Sequence, residues 1–401
     1  MAMILAAMLF TMTFFTLVLI HELGHYVAAK LCGIKVEIFS IGFGKPLLQW
    51  KEFVLARFPL GGYVKLIEDP SVSRLKRAMV ILAGPSSNFL IAILCYWLAL
   101  TLGITHVRPI VGYVVPGSIA AHARVTDKTE LPFMSWSAVG IAFISHMGEK
   151  KLLNIAHHQF DLSQWRLDPL NLDWLNSLGL EPAVPAERLV VQEMNPSKGA
   201  AQAGIKVGDV IITAQGQPVY DRMMLLRLAR ASVGNMIRLT FEREGQRLHA
   251  MVPVGRGGDL GITLPPIKWP SAALQTEHGG LYEALQKSRE MLVFNIKVII
   301  KLVKGELSLQ NLSGPVGIFA GSLRALQQGF PTYLSFLAVI SLGLGVINLL
   351  PIPALDGARL LYLMIPLSPA AELLAFRLGT ILLGLLMVHV FIGDILRLLL
   401  N

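Results

Sequence analysis

The chain has 401 residues, of which 54% are hydrophobic and only 15% charged, with a formal net charge of +9. That balance excludes an ordinary water-soluble enzyme and places much of the chain in a bilayer. The basic excess fits membrane topology and anionic headgroups better than nucleic acid, so no nucleic-acid partner is expected.

The first element, Met1–Lys30, opens with twenty residues that carry no charged side chain. That is about the length needed to cross the hydrocarbon core. It has no basic n-region, so it is not expected to be a cleaved signal peptide. At its end stands His21-Glu22-Leu23-Gly24-His25. On a helix, positions i and i+4 share a face, so His21 and His25 can offer two imidazole nitrogens to one zinc ion. Glu22 lies next to them, placed to act as general base toward a water on the metal. In a water-soluble protein such a helix is amphipathic. Here it is apolar on every side, so the metal site is expected inside the membrane. Hydrogen-bonded core histidines are the plain alternative, but ionisable groups on a membrane helix are costly and default to function.

Nine basic residues (Lys30, Lys35, Lys45, Lys51, Arg57, Lys65, Arg74, Lys76 and Arg77) lie between the first and second spans, against four acids. This puts the 31–77 loop in the cytoplasm and both termini on the far side. Within it, Val36–Gly44 and Phe53–Val64 have strand character, punctuated by Gly-Lys-Pro and Leu-Gly-Gly-Tyr. A β-hairpin dipping into the membrane surface beside the metal site explains the apolar content; an ordinary cytoplasmic loop is the alternative. The second span is Ala78–Ile104, which Gly84-Pro85-Ser86-Ser87-Asn88 is expected to interrupt, with Asn88 in a structural role.

The exterior segment 105–331 contains a repeat. Pro116–Val125 aligns with Pro196–Ile205 at an offset of 80 residues. The second copy continues through strand-forming Gly208–Thr213, a helical stretch Tyr220–Ala231 and a closing hairpin, Met236–Glu242 with Arg247–Val254. It resembles a PDZ domain, a fold that binds extended peptides by strand addition. The first copy is too short between Val125 and Leu131 to hold the equivalent strand, which puts a working groove there in question. A spacer or steric cap is the alternative for both. Cys32 and Cys95 fall outside this segment, so its core must hold without a disulfide.

Met291–Val303 is apolar with Lys297, Lys301 and Lys304 spaced along it, the pattern of an interfacial helix with snorkelling lysines or of a short core helix. Asn311–Gly317 is a turn-rich return to the membrane. The third span, Thr332–Ala354, ends in Asn348-Leu-Leu-Pro351-Ile-Pro353-Ala-Leu-Asp356-Gly357. Asp356 closes 31 residues without a charged side chain, in a stretch that two prolines keep out of regular helix. It is either the third zinc ligand or the cytoplasmic end of the span; His389 and Asp394 are weaker competitors. Asn348 is placed to support an oxyanion or substrate backbone, or to satisfy freed carbonyls. A fourth span covers roughly Leu378–Leu400.

Taken together, HELGH at 21–25, GPSSNF at 84–89 and NLLPIPALDG at 348–357 resemble the membrane motifs of the site-2 protease family of intramembrane zinc metalloproteases. The resemblance implies zinc held by His21, His25 and Asp356, Glu22 as catalytic base, and Asn348 in substrate or transition-state support. It implies a polytopic α-helical protein of the bacterial inner membrane with about four transmembrane helices, a membrane-associated β-hairpin and two periplasmic PDZ-like α+β domains. The expected segments are 1–30, 31–77, 78–104, 105–185 and 186–266 (the two PDZ-like copies), 267–331, 332–358 and 359–401. Implied partners are a pre-trimmed transmembrane anti-sigma factor, remnant signal peptides, peptide ends at the PDZ-like domains and the lipid bilayer. Ala358 stands where the family often has a second glycine. A non-catalytic PDZ scaffold with structural zinc is the rival reading; a metal transporter explains neither the repeats nor Glu22.

Overall fold

The computed structural model describes residues 2–67, 69, 71–168, 173–365 and 367–400. The chain forms two compact units, one from Met1–Thr105 with Thr276–Asp394 and one centred on His106–Gln275.

In the first unit, helix α1 (Ala2–Leu31) runs for 30 residues, about 45 Å at 1.5 Å per residue. Strands β1 (Val36–Trp50) and β2 (Phe53–Leu66) form one antiparallel hairpin. The strand expected to stop at Gly44 therefore continues six residues further. Gly42 and Gly44 hold φ of 91° and 97°, and such glycines let a strand bulge and bend without leaving its partner. The tip exposes Leu47, Leu48 and Trp50, each about two-thirds accessible.

Helix α2 (Arg74–Leu102) is capped by Ser73, whose side chain accepts from the Lys76 amide, and runs unbroken through Pro85. The expected interruption at 84–88 does not occur: neighbouring membrane helices tolerate a proline whose freed backbone groups find local partners. Helix α3 (Leu281–Val303) begins ten residues before the expected Met291. Helices α4 (Pro315–Gln327) and α5 (Phe330–Asn348) follow, then α6 (Asp356–Met364) and α7 (Pro369–Leu400). The helix expected over 332–358 thus stops at Asn348. Pro351 and Pro353 lack the N–H that a continuing helix requires, and Asp356 opens the next one.

Among the described residues three helices are long and apolar enough to cross a membrane, at Arg74–Leu102, Phe330–Asn348 and Pro369–Arg397. Ala92, Ala99 and Leu100 of α2 pack with Leu334, Ala338 and Leu342 of α5 and Ala284 of α3. Small residues let the backbones approach, which is how helices associate when lipid removes the hydrophobic drive. Helix α7 instead leaves Leu374, Leu378, Leu382 and Leu385 more than half exposed, a surface suited to lipid.

In the second unit, Val210–Ala214, Met236–Arg243 and Gln246–Pro253 form the centre of a five-stranded antiparallel sheet completed by Leu189–Val190 and Gln217–Pro218. Helix Arg222–Arg230 contributes Leu225 to a core with Ile211, Ile237, Leu239, Phe241 and Val252. The first repeat is built differently. Val111–Val114 pairs with Leu180–Pro182, and Leu153–Ile155 with His158–Phe160. Between Val125 and Leu131 the described residues hold a turn and a single bridge, Ile110 to Glu130. Phe143 meets Phe160 and Trp165 edge to face in its small core.

Candidate metal centre

One turn of α1 carries His21 and His25, and the first residue of α6 carries Asp356. Their ligand-type atoms form a cluster within 4.8 Å, and all three residues are buried. His21 Nε2 and His25 Nε2 are 3.2 Å apart, and each lies 3.1 Å from Asp356 Oδ2. Donors at about 2.0–2.1 Å around one tetrahedral zinc stand about 3.3 Å apart, so the triangle has the size of one face of that tetrahedron.

The chemistry of the donors fits as well as their spacing. His25 Nδ1 donates to the Val80 carbonyl at 2.8 Å. In the neutral ring this leaves the Nε2 lone pair facing a carboxylate oxygen that also only accepts. Such a buried arrangement needs a cation among the three atoms, and two imidazoles with one carboxylate are a zinc donor set with a position left open.

The fit depends on α2. A Cβ on Gly84 would come within 2.3 Å of His25 Nε2, so only glycine lets the imidazole lie against this helix. A Cβ on Gly24 would meet the Ala83 carbonyl at 2.5 Å, which brings the two backbones into contact. Ser87 Oγ lies 2.6 Å from the Gly84 carbonyl and 3.0 Å from that of Ile20, tying α2 to α1 across the joint. Asn88, wholly buried, places Nδ2 3.2 Å from His21 Nδ1. The purely structural role expected for Asn88 is therefore too narrow: it touches a candidate ligand.

On the other side, Ala354 takes φ of 88°, a left-handed conformation costing a non-glycine residue about 1–3 kcal/mol. It lies between Pro353 and Leu355, in the segment that delivers Asp356. A Cβ on Gly357 would fall 2.3 Å from the carbonyls of Leu349 and Leu350, so the start of α6 folds directly over the end of α5. Arg359 Nη1 stands 3.9 Å from Asp356 Oδ1.

Glu22 is half-buried, and its side chain makes no hydrogen bond among the described residues. A Cβ on Gly62 of β2 would lie 3.1 Å from Glu22 Cγ, so the hairpin passes beside it. Asn348, the last residue of α5, is half-buried and likewise makes no side-chain hydrogen bond among the described residues. His389 is exposed, and Asp394 serves elsewhere: its oxygens accept from the amides of Gly314 and Gly317 at 3.1 and 2.8 Å, capping α4.

Sequence reasoning missed the Asn88 contact, although a signal was present. Val80, Gly84 and Asn88 recur every four residues along one face of α2, and His21 and His25 recur every four along α1. Packed antiparallel, the two rows match.

The profile of Peptidase family M50 matches residues 9–386. A regulator of sigma-E protease from Escherichia coli is 34% identical, the alignment covering 95% of this chain and 96% of the relative. A Yersinia pestis protein named Protease RseP is 35% identical over the same shares. A Vibrio cholerae protein named for zinc metalloprotease activity is 31% identical, also over 95% and 96%. Among solved structures, the PDZ domain of an SdrC-like protein from Listeria monocytogenes is similar at 18% identity with a TM-score of 0.18, covering 20% of this chain and 92% of that one. By the extent of the family match and of these relatives, the chain belongs to peptidase family M50, the site-2 proteases, and is a membrane zinc metalloprotease.

Proposed function

We propose that the protein hydrolyses peptide bonds inside transmembrane segments of single-span substrates. The observation that carries this reading is the convergence of three buried donors with an unpaired carboxylate on the adjoining residue, at the end of an apolar helix. His21, His25 and Asp356 would hold the zinc ion. When bound, it supplies an acidified water and a Lewis acid for the scissile carbonyl. Glu22 is the general base: with no hydrogen bond of its own to break, it takes the proton from the attacking water and passes it to the leaving amide nitrogen. Asn348, at the C-terminal end of α5, supports the developing oxyanion or the substrate backbone.

A helical substrate hides its carbonyls in its own hydrogen bonds and must unwind to react. The β1–β2 hairpin is two-stranded among the described residues, so each strand has an edge free to pair with an unwound segment. Gly62, beside Glu22, puts that edge next to the base. The apolar tip at Leu47–Trp50 dips into the membrane surface, and the basic 31–77 loop places it on the cytoplasmic side. In this topology four helices cross an inner membrane, with both termini and the PDZ-like copies in the periplasm. The Escherichia coli relative is named for sigma-E regulation. The substrate class that follows is a transmembrane anti-sigma factor already trimmed outside, together with remnant signal peptides. The second PDZ-like copy captures new peptide ends, and the pair acts as a size filter.

The test compares wild type with Glu22→Gln on a detergent-solubilised single-span substrate, reading cleavage on a gel and zinc by elemental analysis. Lost cleavage with zinc retained is expected. Cleavage by Glu22→Gln equal to wild type would reject the mechanism, and zinc bound without cleavage of any single-span substrate would favour a scaffold.

A further inference from the structure

The second membrane motif supplies neither ligand nor base, yet its Asn88 is wholly buried within an apolar helix with its amide against His21. Asn88 Oδ1 has no hydrogen-bond partner among the described residues. A buried amide oxygen left alone is costly, so the side chain calls for a function beyond packing. Its backbone is held firmly. Ser341 of α5, itself fully buried, donates to the Asn88 carbonyl at 2.8 Å. The next residue, Phe89, lies against Gly345, where a Cβ would come within 2.6 Å of the ring. Asn88 is therefore a fixed point on α2 and α5, facing a ligand on α1.

Tautomer chemistry decides what that point does. With Nδ2 donating to His21 Nδ1, the neutral ring carries its proton on Nε2, the nitrogen that faces Asp356 and His25, and has no lone pair for a metal. Half a turn about the terminal torsion exchanges Oδ1 and Nδ2 and leaves every other atom in place. Oδ1 then accepts from Nδ1–H, its lone acceptor gains a partner, and the Nε2 lone pair points into the donor triangle. His25 already has this arrangement, its Nδ1–H fixed on the Val80 carbonyl one helical turn from Gly84.

We propose that Asn88 is a positioning residue for His21, its side-chain oxygen taking the Nδ1 proton and so committing Nε2 to the metal. The row Val80–Gly84–Asn88 then orients both histidines, a backbone carbonyl serving one and a side-chain amide the other. The inference rests on the zinc assignment above. Its test reads metal affinity rather than cleavage.

The experiment uses the full-length protein in detergent and measures zinc affinity by competition with a chromophoric chelator, for wild type, Asn88→Leu and Asn88→Asp. Leucine keeps the volume and removes the acceptor; zinc binding is expected to weaken about 10–100-fold, the usual consequence of losing a ligand-orienting partner. Aspartate can only accept, so it is expected to bind zinc at least as tightly as wild type. Affinity of Asn88→Leu within about twofold of wild type, or weakening of Asn88→Asp by about tenfold, would overturn the proposal. If Asn88→Leu does not fold, Asn88→Asp decides alone, because a donor or packing role predicts loss where an acceptor role predicts none. Wild type binding no zinc would instead reject the underlying site, which separates the two failures.

Discussion

Asp356 in the first unit and Asp209 in the second unit are both buried, at 7% and 1% exposure, but their partners differ in kind. Asp209 receives Arg243 Nε and Nη2, each at 2.7 Å, and the Lys206 amide at 2.8 Å. Its charge is met by a fork of donors and its oxygens are satisfied. Asp356 faces two imidazole nitrogens, one of which presents a lone pair, and its only cationic side-chain neighbour among the described residues is Arg359 at 3.9 Å. Burial of a carboxylate therefore does not mark a functional site. What marks one is a set of buried acceptors that the protein itself leaves short of a cation.

The comparison breaks first at the metal. Asp356→Asn keeps the shape and removes the charge, and a neutral amide is a poor zinc ligand; zinc affinity is expected to fall more than about 100-fold, exceeding the loss of an outer partner. Cleavage should disappear with it, as read by elemental analysis and a gel assay on the same preparation. Gly84→Ala should approach this effect, since its Cβ would come within 2.3 Å of His25 Nε2 and the ring must leave its seat. Neither change should alter the melting of the second unit. A metal chelator should likewise abolish cleavage and leave that transition in place.

Asp209→Asn reverses the pattern. It leaves Arg243, a partly exposed guanidinium, without its charged partner in the sheet and removes a fork of charge-assisted hydrogen bonds. Thermal melts and limited proteolysis should show a loosened second unit with zinc content unchanged. The pH dependence follows. Burial alone would raise Asp209, but the Arg243 fork and the Lys206 amide outweigh it and hold the carboxyl below its ordinary value. A depressed carboxyl contributes stability that is full above the unfolded value, about 3.9, and is lost as pH falls through the folded one. The second unit should therefore weaken from about pH 4 downward in wild type, and Asp209→Asn should flatten that slope. A slope unchanged in the variant would remove Asp209 from the account.

The two regions were unequally legible. His21, Glu22 and His25 stand within one helical turn, so spacing alone places them on adjoining faces, and the proline-broken stretch before Asp356 pointed to a lone carboxylate in need of a cation. What sequence could not supply was register between helices. The matching rows of four on α1 and α2 hint that Asn88 rather than Ser87 meets His21, but the match also needs Gly24 and Gly84 to allow α1 and α2 into contact. Proline misled in one place and guided in another: Pro85 sits inside a continuous helix supported by its neighbours, whereas Pro351 and Pro353 end one. The hairpin ran longer than its alternation suggested because glycines absorbed the irregularity. In the second unit the repeat and the shortened first copy could be counted directly. The buried pair Asp209–Arg243 joins residues 34 apart and left no local trace.

Asp394 tests the distinction at its weakest. It is buried, acidic and on a membrane helix, which by composition alone made it a competing ligand. Its partners are instead the amides of Gly314 and Gly317, and a Cβ on Gly314 would fall 2.7 Å from its Oδ2. The charge answers the positive end of α4, where helix starts favour an acceptor. Asp394→Ala should cost about 1–2 kcal/mol, the value of a good cap, seen as a small drop in melting temperature. Zinc affinity should stay at the wild-type value. A loss of zinc in this variant would mean that the helix α4 start and the donor triangle are coupled, and that a satisfied carboxylate can matter to the site without touching it.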